Sequence, residues 1–523
     1  MNSAPRWLDN AIFYEIYPQS FQDTNGDGIG DLQGIIRRLD YIRELGCNAL
    51  WINPCYVSPF LDAGYDVADY CRIAPRYGTN EDARQLFAEV HRRGMHVLLD
   101  LVPGHTSWEH PWFKESMKAA RNEFTDRYVW TNNIWESPAG SDPLRGISER
   151  NGCCAVNFFT HQPALNYGYY KPEKPWQQAM DAPGPMATRQ VIKDIMRFWL
   201  DMGCDGFRVD MAASLVKGDP DHEGTVSLWQ DIFAFLGAEY PEAAMVSEWS
   251  DPPKSIRGGF HMDFTLGWTD SHYDDLFRCE KPYFAGDGDA SAFVATYTKN
   301  WTLSGGKGLI CVPSGNHDVD RLARAVHGAR LPLAFAFLLG IPGAPFIYYG
   351  DEIGMRYVEG LPSVEGGYAR TGSRSPMQWD SSPNAGFSTA DPDKLYVPLD
   401  PDPDRPTVID QIRDESSLWH TVQTLIHFRQ AHPALQNRGN FRFLRSGAPG
   451  EPLVWLRMAE GETILIAVNP TEKAHVIAKA NDSDALLHQL GEKAHTENNQ
   501  WVIPPLSAAF IQVKESESPE KAD

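Results

Sequence analysis

The sequence predicts an α/β protein: a (β/α)8 barrel carrying an inserted subdomain after its third strand and a C-terminal antiparallel β-sandwich domain. Three observations carry this. Eight short apolar runs alternate with amphipathic helical patterns; the interval after the third run is too long for one helix; and beyond about residue 435 only strand-like runs remain.

The strands are expected at "AIFYEIYP" (11–18), "NALWIN" (48–53), "MHVLLDLV" (95–102), "DGFRVD" (205–210), "AAMVSEW" (243–249), "HMDF" (261–264), "GLICVPS" (308–314) and "PFIYYGDE" (345–352). Between them lie helices such as "LQGIIRRLDYIRELG" and "EDARQLFAEVHRRG", each ending in Gly, which accepts a left-handed C-cap. The segment 104–170 is rich in aromatic residues and poor in helical period, as an insertion over the barrel mouth would be. "PLVWLRMA", "TILIAVNP" and "WVIPPLSAAFIQV" read as strands parted by turn residues. The expected division is a barrel from 1–103 and 171–434, a subdomain from 104–170, a sandwich from 435–515, and a mobile charged tail from 516–523.

Composition narrows the partners. Of 523 residues, 42% are hydrophobic and 22% charged, a globular balance. The net charge of −22 argues against nucleic acid and anionic membranes and leaves neutral small molecules open. The N-terminal stretch has no basic segment followed by an apolar core, and no run is long enough to span a bilayer. The eight cysteines are scattered without a CxxC pair, so a reducing cytoplasm is expected and a zinc site is not. Nothing in the sequence fixes an oligomeric state.

"DGFRVD" poses the chemical question. Strand alternation puts Phe207 and Val209 on one face and Arg208 and Asp210 on the other, and a buried charged pair needs partners or a task. Asp210 ends the fourth strand and Glu248 ends the fifth. Asp318, with His317 before it, follows the seventh in "SGNHDVDR", and Asp100 lies on the third with His105 just beyond. These are the C-terminal strand ends, where such barrels place their chemistry. Two carboxylates on neighbouring strand ends suit glycosidic bond cleavage.

A second cluster, "DTNGDGIGD" (23–31), follows the first strand. Oxygen-bearing side chains recur at Asp23, Asn25, Asp27 and Asp31, with glycines allowing a tight loop, as a hard cation requires. The twelfth loop position is Gly34 rather than the bidentate Glu of an EF-hand.

Together these stretches resemble the α-amylase superfamily, glycoside hydrolase family 13. Its four ordered signatures match "DLVPGH" (100–105), "GFRVDMAAS" (206–214), "SEWS" (247–250) and "NHD" (316–318). The resemblance implies Asp210 as nucleophile, Glu248 as general acid/base and Asp318 as the carboxylate that stabilises an oxocarbenium-like transition state, with Asp100, His105, Arg208 and His317 binding substrate. Arg208 is expected to lower the pKa of Asp210, and Glu248 to be raised by burial near a second carboxylate. The two carboxyl groups are expected about 5 to 5.5 Å apart, the retaining arrangement.

"LDAGYD" (61–66) and "SRSPMQWDSSPNAGFS" (373–388) resemble the oligo-1,6-glucosidase, α-glucosidase and trehalose synthase branch. That resemblance implies a terminal sugar held by Asp62 and Tyr65, a pocket closed by pairing Asp62 with Arg374, and a structural Ca2+ held by Asp23, Asn25, Asp27, Ile29 and Asp31. Some positions depart from the family pattern. Gly104 stands where many α-amylases place a calcium-binding Asn, Ala164 replaces the acid of a QPDLN stretch, and Met211 replaces Val or Ala. The expected activity is that of a retaining exo-acting α-glucosidase on short α-glucosides. A transglucosylase or isomerase, or a small-oligosaccharide α-amylase, are the alternatives on the same scaffold.

Overall fold

The computed structural model describes residues 4–138 and 143–513; the expected tail lies outside the described residues. Each expected strand segment holds one barrel strand: β1 (Phe13–Ile16), β2 (Ala49–Ile52), β3 (His96–Leu101), β4 (Gly206–Val209), β5 (Ala244–Ser247), β6 (Met262–Phe264), β7 (Leu309–Cys311) and β8 (Phe346–Tyr348). They pair in parallel in the order β7-β6-β5-β4-β3-β2-β1-β8. A bridge between Pro313 and Phe346, with Ser314 N–H donating to the Phe346 carbonyl at 2.9 Å, brings the two ends of the sheet together.

Helices alternate with the strands: α1 (Leu32–Leu45), α2 (Asn80–Arg92), α3 (Pro183–Met202), α4 (Glu223–Glu239), α5 (Pro252–Gly258), α6 (Ser291–Ser304), α7 (Arg330–Gly340) and α8 (Leu418–Ala431). Local chemistry sets their ends. Asp31 caps α1 by accepting from Gly34 N–H, and Gly46 ends it at φ 107°. Thr79 and Asp82 form a reciprocal capping box on α2.

Strand alternation divides the core. Phe13, Trp51, Leu98, Val246, Phe264, Cys311 and Phe346 fill the barrel interior. Tyr14, Leu50, Val97, Phe207, Met245 and Ile310 belong to the main core that includes the helices. Because both faces are apolar, the strands read as continuous hydrophobic runs. Gly206 permits the close pairing of β4 with β5, since a Cβ there would lie 1.8 Å from the Ala244 carbonyl oxygen.

Between β3 and α3 the chain forms an irregular subdomain with one six-residue helix (Pro111–Ser116), a strand pair (Pro143–Leu144 with Cys154–Ala155) and isolated bridges, including His105 with Ala164. After α8 come two antiparallel sheets. β9 (Asn440–Ser446), β10 (Leu453–Ala459), β11 (Glu462–Asn469), β13 (Ala485–Leu490) and β16 (Ser507–Gln512) form one, in the order β9-β10-β11-β16-β13. β12 (His475–Ala478), β14 (His495–Glu497) and β15 (Gln500–Ile503) form the other. Val454, Leu465, Ile477, Trp501, Ile503 and Ile511 pack between them as a sandwich core.

Candidate active site

The strand ladder aims the charged side chains. β3 and β4 pair with Asp100 opposite Arg208. Hydrogen bonding continues one residue past the strands: Asp210 N–H donates to Leu101 O at 2.9 Å, and Glu248 N–H to Val209 O at 3.0 Å. Asp210 and Glu248 therefore leave adjacent strand ends with their backbones in register.

Arg208, 1% exposed, joins three carboxylates. Its Nη1 lies 2.9 Å from Asp100 and 3.0 Å from Asp210, and its Nη2 lies 2.6 Å from Glu248. Asp100 also accepts from the Trp51 indole at 3.1 Å and the Tyr65 hydroxyl at 2.9 Å. Tyr65 stacks on His317, with ring centroids 5.2 Å apart and planes 10° from parallel.

Arg208 pulls the pKa of Asp210 down as expected, but its effect does not prevail. Burial first, and then the charge of Glu248, outweigh the guanidinium and push the Asp210 carboxyl well above the usual range. Glu248 is raised as expected, with burial the largest cause and Asp318 adding to it. Neither dehydration nor repulsion can be met by one arginine shared among three acids. Asp210 and Glu248 therefore titrate as a pair that holds on to a proton.

Asp318 behaves oppositely. Burial opposes its charge, but His317, Arg370 and Arg374 outweigh that and hold it well below the ordinary carboxylate range. Its contacts are 3.2 Å to His317 Nε2, 2.6 Å to Arg370 and 3.1 Å to Arg374. Burial disfavours the His317 imidazolium, yet Asp318 and Glu15, the latter 2.9 Å from Nδ1, raise its pKa. His105 is different: burial lowers it to about 3, so it stays neutral, with Nε2 3.1 Å from the Tyr65 carbonyl oxygen.

The pocket-closing pair is also corrected. Arg374 donates to the His317 carbonyl at 2.8 Å and to Asp318, while Arg370 is the residue beside Asp62, at 3.7 Å. Arg370 thus spans Asp62 and Asp318, with Gln162 of the subdomain donating to Asp62 at 2.7 Å. Arg370 lies in a 3-10 turn, Tyr368–Ser373, and no local pattern announces it. Glu15, wholly buried in β1, was also missed, although a lone carboxylate inside an apolar strand is a legible signal.

Two departures have visible consequences. Met211 has φ 43°, a strained value for a bulky side chain, and its N–H donates to Glu248 Oε2 at 2.9 Å. A Cβ at Gly104 would lie 2.5 Å from Asn157 Nδ2, and Lys217 Nζ contacts Asn157 Oδ1 at 3.3 Å and the Ser214 carbonyl at 2.7 Å, tying subdomain to barrel.

The loop from Asp23 to Asp31 is internally hydrogen bonded. Asp23 accepts from the N–H groups of Asn25, Gly26 and Gly28 and from the Ser388 hydroxyl. Asn25 accepts from Asp27 N–H, and Asp27 from Ile29 N–H. This winding turns the side-chain oxygens of Asp23, Asn25 and Asp27 onto the loop's own backbone N–H groups. Among the described residues no three His, Cys, Asp or Glu side chains converge on one metal position. A cation here would therefore draw also on the amide oxygen of Asn25 and the carbonyl of Ile29.

The alpha amylase catalytic domain model matches residues 15–438. Over 523 aligned residues the chain is 31% identical to a probable alpha-glucosidase of Rhizobium meliloti, covering 90% of each chain. It is 30% identical to an oligo-1,6-glucosidase of Heyndrickxia coagulans, covering 96% of this chain and 99% of that one. It is 31% identical to the trehalose synthase/amylase TreS of Mycobacterium tuberculosis H37Rv, covering 89% and 82%. The trehalulose synthase MutB of Pseudomonas mesoacidophila MX-45 superposes with a TM-score of 0.82 at 27% identity, covering 97% and 99%. With that barrel, that carboxylate-bearing rim and these relatives, the chain belongs to the α-amylase family, glycoside hydrolase family 13, as an α-glucosidase-like hydrolase or transglycosidase.

Proposed function

We propose that this enzyme is a retaining, exo-acting α-glucosidase that hydrolyses short α-glucosides through a covalent glucosyl-enzyme intermediate. The observation that carries the reading is one guanidinium, Arg208, holding both Asp210 and Glu248. Sharing one planar cation keeps the carboxyl groups close, which favours the retaining spacing of about 5 to 5.5 Å over the wider inverting one. Asp210 attacks the anomeric carbon; Glu248 gives its proton to the leaving oxygen, then takes one from the incoming water. Their shared proton must sit on Glu248 for the first step. Asp318, kept ionised by His317 and two arginines, faces the positive charge that develops on the sugar. Arg370, between Asp62 and Asp318, supports a pocket that accepts only a chain end.

A transglucosylase or isomerase reading has its own support, since an isomaltulose synthase variant of Erwinia rhapontici NX5, solved with its natural substrate sucrose, superposes with a TM-score of 0.82 at 26% identity. An NMR time course with maltose, isomaltose, sucrose and trehalose separates the two. α-Glucose released first, with no new disaccharide, is the outcome expected of the hydrolase; new disaccharides ahead of free glucose would replace that reading with the transferase.

The same proposal includes a structural Ca2+ at Asp23, Asn25, Asp27, the Ile29 carbonyl and Asp31, contributing rigidity and no step of the chemistry. It also includes a cytoplasmic location, supported by eight free cysteines. Among the described residues no helix is long and apolar enough to cross a membrane.

A further inference from the structure

Behind Glu248 lies a carboxyl group that the mechanism above does not use. Asp263, in the middle of β6, is fully buried and pairs in register with Ser247 of β5. Its neighbours Met262 and Phe264 belong to the barrel interior, so Asp263 occupies the alternate face. Its Oδ1 accepts from the Ser247 hydroxyl at 2.6 Å, from Trp249 N–H at 3.2 Å and from Ser250 N–H at 3.3 Å. These donors flank Glu248 on both sides, and the Trp249 N–H belongs to the peptide plane that begins at the Glu248 carbonyl.

The turn it holds is not one the chain adopts freely. Ser250 has φ 59°, a left-handed value that costs a non-glycine residue energy unless the surroundings enforce it. The Ser250 hydroxyl is fastened to β6's outgoing chain by accepting from Leu266 N–H at 2.9 Å. Asp263 thus fixes where β5 stops and in which direction Glu248 leaves it.

We infer that Asp263 is a positioning residue for the acid/base function of Glu248: through Oδ1 it orients the Glu248–Trp249 peptide, so that the carboxyl meets the leaving oxygen. It touches no substrate, and it rests on the reading of Glu248 given above. Burial raises its own pKa to about 8, and its Oδ2 has no hydrogen-bond partner. A neutral carboxyl is the cheaper occupant of such a position. It supplies the acceptor without placing another negative charge behind Glu248.

The test uses leaving groups that differ in their need for a proton. α-Glucosyl fluoride departs without one; the disaccharide turned over fastest among maltose, isomaltose, sucrose and trehalose requires it. The split is read in kcat/KM, which reports the first step alone, because the second step is common to both substrates: Asp263→Ala is expected to lower kcat/KM on the disaccharide 10- to 100-fold and on the fluoride less than threefold. Asp263→Asn, which keeps the Oδ1 acceptor and the volume, should stay within threefold of the parent on both. Equal losses on the two substrates, no loss with Ala, or a collapse with the isosteric Asn would overturn the inference. If the Ala variant does not fold, Asp263→Leu, which keeps the volume but not the acceptor, is read for the same split, and its absence there overturns the inference. Glu248→Gln, run alongside, separates the two levels. If it lacks the leaving-group split, the acid/base reading itself falls; if it has the split and Asp263→Ala lacks it, only the role of Asp263 falls.

Discussion

At the scale of single residues, charge is concentrated where water is scarce, and each member of the cluster has a separable consequence. Asp210→Asn and Glu248→Gln should each cut turnover by orders of magnitude while leaving the thermal melt within a few degrees, because each amide keeps the shape and an acceptor oxygen of the acid it replaces. Full activity in either variant would end its assigned role. Arg208→Ala should do more harm to folding, since stripping the cation leaves Asp100, Asp210 and Glu248 buried without compensation, a loss of about 3–5 kcal/mol by analogy with broken buried pairs. Asp62 offers a pH test. Burial raises its carboxyl to about 6. The folded protein therefore keeps this proton over a range in which the unfolded chain has lost it, and stability falls as pH rises from about 4 to about 6 and then levels. Two units correspond to about 3 kcal/mol. Asp62→Asn should remove that share of the fall, so that the difference between unfolding free energies at pH 4.5 and 7.5 is smaller in the variant than in the parent, even as activity drops with the loss of the Arg370 contact. An undiminished slope would locate the penalty elsewhere.

At the scale of elements, function depends on strand ends and the loops beyond them. β4 and β5 continue their ladder one residue further, which sets Asp210 and Glu248 side by side before any loop is considered. Loops then supply what strands cannot: Arg370 from a 3-10 turn, Gln162 from the subdomain, His317 and Asp318 after β7. The loop after β1 has the opposite character, with its side-chain oxygens turned on its own backbone. If it holds Ca2+, excess metal over EDTA should raise Tm by several degrees, following the linkage of binding to folding, with kcat at 25 °C unchanged. Asp27→Ala should abolish the difference. A melting curve indifferent to both EDTA and calcium would remove the metal from the account.

At the scale of the molecule, the sandwich is fastened to the barrel by buried polar and aromatic contacts. Arg457 of β10 and the Trp455 indole both donate to the Gly340 carbonyl at the end of α7, at 2.7 and 3.2 Å. From α8, Arg429 donates to Asn437 Oδ1, just ahead of β9, at 2.8 Å. The Trp455 ring packs against Phe337 with centroids 5.8 Å apart. Trp455→Ala should cost about 3–5 kcal/mol, the usual range for emptying a large aromatic site, and lower the stability of the barrel along with the sandwich. A calorimetric trace in which only a minor early transition moves would mean that the two units unfold independently.

The order of strands and helices was legible because periodicity is local: buried parallel strands are apolar on both faces, and amphipathic helices repeat every turn. For the same reason the carboxylates at the ends of β4 and β5 stood out, since a charge at the end of an apolar run is conspicuous in one dimension. What only the tertiary structure decided depends on distance through space. The sequence suggested Arg374 for Asp62 because both lay in recognisable segments, yet the folded chain places Arg370 there and sends Arg374 to Asp318. It likewise suggested an ionised Asp210 from the effect of one neighbour, Arg208, which does act downward but is outweighed. The fold surrounds that arginine with three acids and removes the water, and in a buried site the balance among all charges, not the nearest pair, sets where protons stay.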